Sequence, residues 1–161
     1  MTARFGIGFD AHRLVEGRRL VLGGVEIAHE RGLEGHSDAD VLVHAVIDAL
    51  LGAAGMGDIG LHFPDDDERW RDADSLDLLR RVSGLLDDGG LTVVHVDATV
   101  LAEAPKVSPH RDAMRAALAD ALGIEDGAVN VKATRGEGMG FVGRQEGIAA
   151  LAVATVEDAV V

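Results

Sequence analysis

Cysteine is absent from this 161-residue chain, so no disulfide can staple the fold and any metal must be held by histidine and carboxylate rather than thiolate. Aromatic residues make up only 3% of the sequence and the formal charge is −13. That leaves little from which to build base-stacking platforms and repels polyanions at long range, which excludes nucleic-acid binding. No apolar run reaches the roughly 20 residues that a bilayer span requires, because Asp48 and Asp58 interrupt the longest Leu/Ala/Gly stretch. The first ten residues carry Arg4 and Asp10 around a short apolar patch, the pattern of neither a signal peptide nor a transit peptide, so a soluble, cytoplasmic protein with no membrane partner is expected. Internal repeats and low-complexity tracts are also missing. What is present, 47% hydrophobic residues in one short chain, suffices to bury one compact core, and residues 1–161 are read as one domain. The acidic balance would repel an anionic small molecule unless metal ions and a few local Lys and Arg side chains reverse the potential inside a cleft.

Residues 4–10 read as an extended segment. Val21-Leu22, Gly23-Gly24 and Val25 to Ile27 suggest a hairpin-like excursion. Ser37 is a plausible N-cap, with Asp38 and Asp40 in a first turn and apolar residues at helical spacing from Val41, which predicts a helix over 38–54. Glycines and acids over 56–74 favour a loop. Ser75 is read as the cap of a second helix through Leu86, and β-branched residues over 91–102 predict a strand. Ser108-Pro109 resembles a helix start leading to Gly123, and 129–134 reads as a short strand. The segment 147–158 fits helix through its alanines and strand through Ile148, Val153 and Val156.

Residues two apart on an extended segment share a side, so Asp10 and His12 would present a carboxylate and an imidazole together. The pair alone is equally the signature of a turn cap beside a surface histidine. His44, in the middle of the expected helix with Asp40 and Asp48 one turn either way, adds a third non-thiolate group whose free nitrogen those carboxylates could hold. Three such ligands would leave a tetrahedral ion one open position, as a catalytic site requires. His36-Ser37 precedes the helix, where backbone amides and an imidazole could meet a phosphate. Gly57-Asp58-Ile59-Gly60 and Asp65-Asp66-Asp67 could accept hydrogen bonds from polyol hydroxyls, although acidic glycine turns are commonly just solvated. Lys106 sits just after a strand, and Lys132, Thr134, Arg135, Glu137 and Arg144 gather around the five glycines of residues 136–147, a candidate phosphate cradle that matches neither a Walker loop nor a dinucleotide fingerprint.

Together these segments resemble the 2-C-methyl-D-erythritol 2,4-cyclodiphosphate synthase family over nearly the whole chain. The resemblance rests on Gly6-Ile7-Gly8-Phe9-Asp10-Ala11-His12, Gly35-His36-Ser37-Asp38-Ala39-Asp40 with His44, and Gly57-Asp58-Ile59-Gly60 with Phe63-Pro64-Asp65. It continues through Ala104-Pro105-Lys106 with Pro109-His110, and Asn130-Val131-Lys132-Ala133-Thr134 followed by Glu137, Gly140-Phe141, Gly143-Arg144 and Glu146-Gly147.

The resemblance implies an α+β, two-layer sandwich with a mixed four-stranded sheet backed by helices, assembled as a homotrimer with active sites between subunits. It also implies that 147–158 is a strand. By the same resemblance Asp10, His12 and His44 are ligands of zinc or another divalent transition metal, and Glu137 is a ligand of magnesium or manganese at the diphosphate. His36 and Ser37 would contact phosphates. Asp58, Ile59, Gly60, Phe63, Pro64, Asp65 and Asp67 would hold the erythritol part, and Ala102, Pro105, Lys106, Val107, Ser108, Ala133 and Thr134 the cytidine. Phe9, Phe141 and Arg144 would line a channel on the trimer axis that could take an isoprenoid diphosphate. Where the family carries a run of threonines before the metal-binding glutamate, this chain has Thr134-Arg135-Gly136, so Arg135 is assigned the phosphate-orienting role. The implied reaction is an intramolecular phosphoryl transfer that expels CMP, a phosphorus–oxygen lyase activity. Two other readings of the residues stay open: a zinc phosphohydrolase and a non-enzymatic isoprenoid diphosphate binder.

Overall fold

In the computed structural model, described over residues 2–160, seven strands and five α-helices follow one another along the chain. The strands are β1 (Ala3–Glu16), β2 (Leu20–Leu22), β3 (Val25–Ile27), β4 (Arg31–Leu33), β5 (Leu91–Leu101), β6 (Val129–Thr134) and β7 (Gly147–Asp158). The helices are α1 (Val41–Ala54), α2 (Ile59–His62), α3 (Ser75–Asp88), α4 (Arg111–Leu122) and α5 (Gly140–Gly143).

The main sheet has five strands in the order β4-β1-β7-β5-β6. It is mixed, since β5 and β6 run parallel while the other neighbours are antiparallel. The expected four-stranded sheet is therefore one strand short. β4 is only three residues long and contains Gly32, so it carries no alternation to read, and it exists because β1 runs six residues past Asp10 and offers an edge to pair with. The segment 147–158 is a strand at the centre of the sheet, paired with both β1 and β5. Its alanines are not a helix signal here. Ala150, Ala152 and Ala154 alternate inward and are buried under the helices.

Helices cover one face of the sheet, with α1 across β1 and β7, and α3 and α4 against β5 and β6. Eleven of the fourteen residues of α1 are buried, including its whole apolar run from Val41 to Ala45 with His44 inside it, which makes it the central helix of the layer. Its close seating on β1 depends on glycine. A Cβ at Gly6 would come within 1.9 Å of the Ala49 carbonyl oxygen, and one at Gly8 within 1.9 Å of that of Ala45, so strand and helix backbones touch. The opposite face of the sheet is left open, with Phe5, Ile7 and Phe9 of β1 and Leu151 and Val153 of β7 all exposed.

Helix starts differ from those expected. Asp40, not Ser37, caps α1 through its carboxylate and the Val43 amide. Ser37 instead closes a turn by accepting the Ala39 amide at 3.1 Å, with Ala39 at φ 57. α3 is capped by Asp74, with Ser75 as its first residue. Ser108 begins a 3₁₀ turn, Ser108–His110, that leads into α4 without a side-chain cap. The hairpin β2–β3 turns through Gly23 and Gly24, both at positive φ, as a two-residue turn matching strand twist requires. Both amides donate to the Asp40 carboxylate, at 2.9 and 2.7 Å. The loop 56–74 contains the one-turn helix α2 and a 3₁₀ turn at Glu68–Trp70.

Candidate metal centre and adjoining cavities

Asp10 and His12 project from β1 toward α1, and His44 projects from α1 to meet them. Asp10 Oδ2 lies 2.9 Å from His12 Nε2 and 3.1 Å from His44 Nδ1, and the two ring nitrogens are 3.3 Å apart. A tetrahedral ion bound at about 2.0–2.1 Å would set its ligand atoms about 3.3 Å from one another. One carboxylate and two imidazoles are therefore already spaced to hold such an ion, with a fourth position left for another ligand. These three side chains form a group that could hold a metal.

The charges agree with the geometry. Burial pushes the Asp10 carboxyl up, but hydrogen bonds and attraction from His12 and His44 outweigh it and hold it at about 2. Burial likewise pushes His12 down, and the hydrogen bond and attraction of Asp10 overcome this and raise it above its ordinary value. His12 is also hydrogen-bonded to the Glu34 backbone.

The remaining nitrogen of His44 is held differently from the sequence expectation. Nε2 lies 2.8 Å from Ser75 Oγ and 3.2 Å from Ser37 Oγ. Asp40 is spent on the Gly23, Gly24 and Val43 amides, and Asp48 accepts the Ile59 amide at 2.8 Å. Neighbours one turn away on a helix lie beside the imidazole stem, whereas its tip reaches across to the start of α3.

Beside the triad opens a cavity of about 550 Å³. Its wall brings together most residues expected for phosphate and polyol contacts: His36, Ser37, Ile59, Gly60, Phe63, Pro64 and Asp65. Gly35, Asp66, Trp70 and Leu78 complete it, the last two without a signal in the sequence. Trp70 is the sole tryptophan of the chain, packed edge-on against Phe63 at 5.0 Å with the Arg69 and Arg81 guanidinium groups 5.5 and 5.3 Å from its ring centre. Asp58 and Asp67 stand outside the lining. Asp58 caps α2 by accepting the Leu61 amide, and Asp67 grips Arg69 while its carbonyl meets His36 Nε2 at 2.9 Å. A carbonyl only accepts, so His36 carries its hydrogen on Nε2 and keeps Nδ1 free for another partner.

A second cavity, about 510 Å³, lies where β5 and β6 end. Ala102, Pro105, Lys106, Val107, Ser108, Ala133 and Thr134, the residues assigned to the cytidine, line it together with Arg135, Glu103 and Arg111. Lys106, Arg111 and Arg135 give this cavity a positive edge in an acidic protein. Arg135 does not hang free: Nη2 is 3.1 Å from Glu103 Oε1, while Glu103 Oε2 accepts the Gly136 amide at 2.9 Å. Glu137, at φ 52, follows directly on this loop and is not part of the Asp10 cluster. Phe141 lines a smaller hollow of about 250 Å³ with His12 and Arg13, and Arg144 pairs with Glu146 at 3.2 Å.

Comparison with known proteins adds the remaining finding. The sequence pattern of the YgbB family matches residues 3–157. The chain is 60% identical over 156 residues to the 2-C-methyl-D-erythritol 2,4-cyclodiphosphate synthase of Salinibacter ruber, covering 97% of this chain and 99% of that protein. It is 62% identical over 151 residues to that of Symbiobacterium thermophilum, covering 94% and 96%. Among solved structures it is similar to the bifunctional IspDF of Campylobacter jejuni, with a TM-score of 0.94 and 40% identity over 98% of this chain and 42% of that one. It is also similar to IspF of Plasmodium falciparum in complex with CDP, with a TM-score of 0.85 and 30% identity, covering 98% and 97%.

Proposed function

The chain belongs to the YgbB family, and from that premise we propose that it converts 4-diphosphocytidyl-2-C-methyl-D-erythritol 2-phosphate to 2-C-methyl-D-erythritol 2,4-cyclodiphosphate and CMP, within non-mevalonate isoprenoid synthesis. The observation that carries this reading is the triad Asp10, His12 and His44, spaced for a tetrahedral ion at the wall of a cavity large enough for a phosphorylated polyol.

An oxygen of the 2-phosphate attacks the β-phosphorus of the same molecule. The new P–O bond closes the ring, the bond from the β-phosphorus to the bridging oxygen breaks, and CMP leaves with that oxygen. A phosphate nucleophile is already ionised near neutral pH, so the residues must align and neutralise rather than abstract a proton. Zinc or a related divalent ion at Asp10, His12 and His44, with magnesium or manganese at Glu137, would supply charge neutralisation to the diphosphate oxygens. His36 and Ser37 would stand beside phosphate oxygens at the triad, with the Ser37 hydroxyl as a donor. Ile59, Gly60, Phe63, Pro64 and Asp65 would enclose the polyol, with Asp58 and Asp67 keeping that wall in place. Ala102 to Ser108, Ala133 and Thr134 would hold the cytidine, with Lys106 and Arg135 beside its phosphates. The P. falciparum relative holds CDP, and the positive second cavity is of a size for such a nucleotide.

The open face of the sheet supports a homotrimer with sites between subunits. Phe5, Ile7, Phe9, Leu151 and Val153 form an apolar stripe on neighbouring strands, and large exposed apolar patches mark association surfaces. The same stripe, with Phe141, would line the axial channel proposed for an isoprenoid diphosphate. Residues 1–161 act in this reading as one synthase domain, and no described helix is long and apolar enough to cross a membrane. Incubation with the diphosphocytidyl substrate, followed by phosphorus NMR, tests the function. Cyclic diphosphate with equimolar CMP is the expected result, and inorganic phosphate released without CMP would replace it with a zinc phosphohydrolase.

A further inference from the structure

Ser75 and Asp38 meet the metal triad from behind. Ser75 is fully buried at the start of α3, its Oγ 2.8 Å from His44 Nε2 and in a short hydrogen bond with Asp38 Oδ1. The direction of each bond follows from what the groups can give. Asp38 Oδ1 accepts the Asp40 amide at 3.1 Å and Oδ2 accepts the Ser75 amide at 3.0 Å, so both carboxylate oxygens act as acceptors. The single hydroxyl hydrogen of Ser75 therefore goes to Asp38. Ser75 Oγ can then meet His44 only as an acceptor, which places a hydrogen on Nε2. Nδ1, 3.1 Å from Asp10 Oδ2 and 3.3 Å from His12 Nε2, donates to Asp10 when the ring carries two hydrogens and offers its lone pair to an ion when the ring carries one. Ser37 Oγ, at 3.2 Å from Nε2 and already accepting the Ala39 amide, is the weaker partner.

We propose that Ser75 and Asp38 are positioning residues of the metal centre, a carboxylate–hydroxyl–imidazole relay that fixes the tautomer and ring orientation in which His44 presents Nδ1 to the ion. A carboxylate commonly orients a metal-bound histidine directly; here a serine hydroxyl is inserted between them. The arrangement also ties the segment before α1 to the start of α3, because Asp38 holds both the hydroxyl and the amide of Ser75. Sequence separation hid it, since Ser75 lies 31 positions from His44 and 37 from Asp38.

This inference rests on the reading of Asp10, His12 and His44 as metal ligands, and the test separates the two. Nitrogen-15 NMR of the metal-free full chain, at a pH where imidazoles are neutral, reads the His44 tautomer without any metal. The hydrogen is expected on Nε2 in the wild type and distributed over both nitrogens in Ser75→Ala. Competitive zinc titration of the same proteins is expected to show a 10- to 100-fold weaker Kd for Ser75→Ala, in the range typical of lost outer-shell partners. A wild-type ring protonated on Nδ1, or a zinc Kd for a folded Ser75→Ala within twofold of wild type, overturns the relay. Wild-type protein that fails to bind zinc overturns the triad reading and the relay with it. The wild-type tautomer measurement needs no variant, so a Ser75→Ala protein that does not fold still leaves it decisive.

Discussion

Arg135 and Glu103 are joined across 32 residues of sequence, guanidinium Nη2 to carboxylate Oε1 at 3.1 Å, while the other oxygen of Glu103 holds the Gly136 amide. The strand end that lines the second cavity is thereby fastened to the loop that carries Glu137. The two bonds differ in weight. Arg135 is 65% exposed at its side chain and its ion pair is screened, whereas Glu103 is only 11% exposed and its bond to a backbone amide is sheltered. Glu103→Ala should therefore lower stability by about 1–2 kcal/mol, chiefly through the orphaned amide, and weaken CDP binding about tenfold in calorimetry. Glu103→Gln, which keeps an acceptor for Gly136, should lose less than half of either effect.

Removal of one triad ligand tests the metal centre. His44→Ala and Asp10→Asn should each purify with little zinc by elemental analysis and lose at least about a hundredfold in kcat, since charge stabilisation by an ion is worth several kcal/mol of barrier. Full zinc content in both variants would mean that the ion sits elsewhere.

Proton linkage gives opposite pH trends for the metal-free and metal-bound proteins. Asp10 is held below its ordinary value, so its contribution to metal-free stability is present above about pH 4 and is lost as pH falls toward 2. His12 is raised, so its contribution is complete below pH 6.5 and is lost as pH rises through its raised value. The stability difference between wild type and Asp10→Asn, both metal-free, should thus be largest between about pH 4 and 6.5 and shrink on either side. Zinc needs the His12 nitrogen free of its proton, so its affinity should climb with pH over the upper part of that range. Chemical denaturation and zinc titration at matched pH values measure the two.

Assembly is open to a single charge. Ile7 is 72% exposed in the middle of the apolar stripe, with Val153 its partner across the strands. Light scattering should give about 50 kDa for the wild type, three copies of the 16.8 kDa chain, and Ile7→Glu should shift this to the mass of one chain while the circular dichroism stays the same. A wild type already at the mass of one chain would contradict sites shared between subunits.

The contact of β1 with α1 should tolerate no side chain. Gly8→Ala would place a methyl carbon 1.9 Å from the Ala45 carbonyl oxygen, and backbone cannot swing aside as a flexible side chain would. A loss of about 3 kcal/mol or more is expected in denaturant unfolding, at the upper end for overpacking, together with reduced zinc content because His44 rides on the displaced helix.

Local pattern made much of this protein legible in its sequence. The two-residue spacing of Asp10 and His12, the apolar run of α1, the Gly23-Gly24 turn and the strand that ends shortly before Lys106 are each written within a few residues. What the sequence hid depends on separation. β4 has no pattern of its own, and only the length of β1 creates it. Ser75, Glu103 and Trp70 are ordinary residues in their own neighbourhoods and acquire roles through partners such as His44, Arg135 and Phe63. Asp40 was misplaced as a partner of His44 because helical spacing says which residues are adjacent, not where a ring tip ends. For 147–158 the alanines misled in isolation, since a strand lying under a close-set helix selects small residues for space rather than for helix propensity.

Backbone contact at Gly6 and Gly8 has a bearing on how a metal ion would enter the triad. Strand and helix already touch, so ion binding has no slack to take up, and Asp10, His12 and His44 stand at ligand spacing beforehand. Loading would then be a binding reaction at a preorganised cage rather than a folding event. Chelation should release the ion reversibly, leave the secondary structure as it was, and let other ions of tetrahedral preference compete for the same cage on affinity and supply alone.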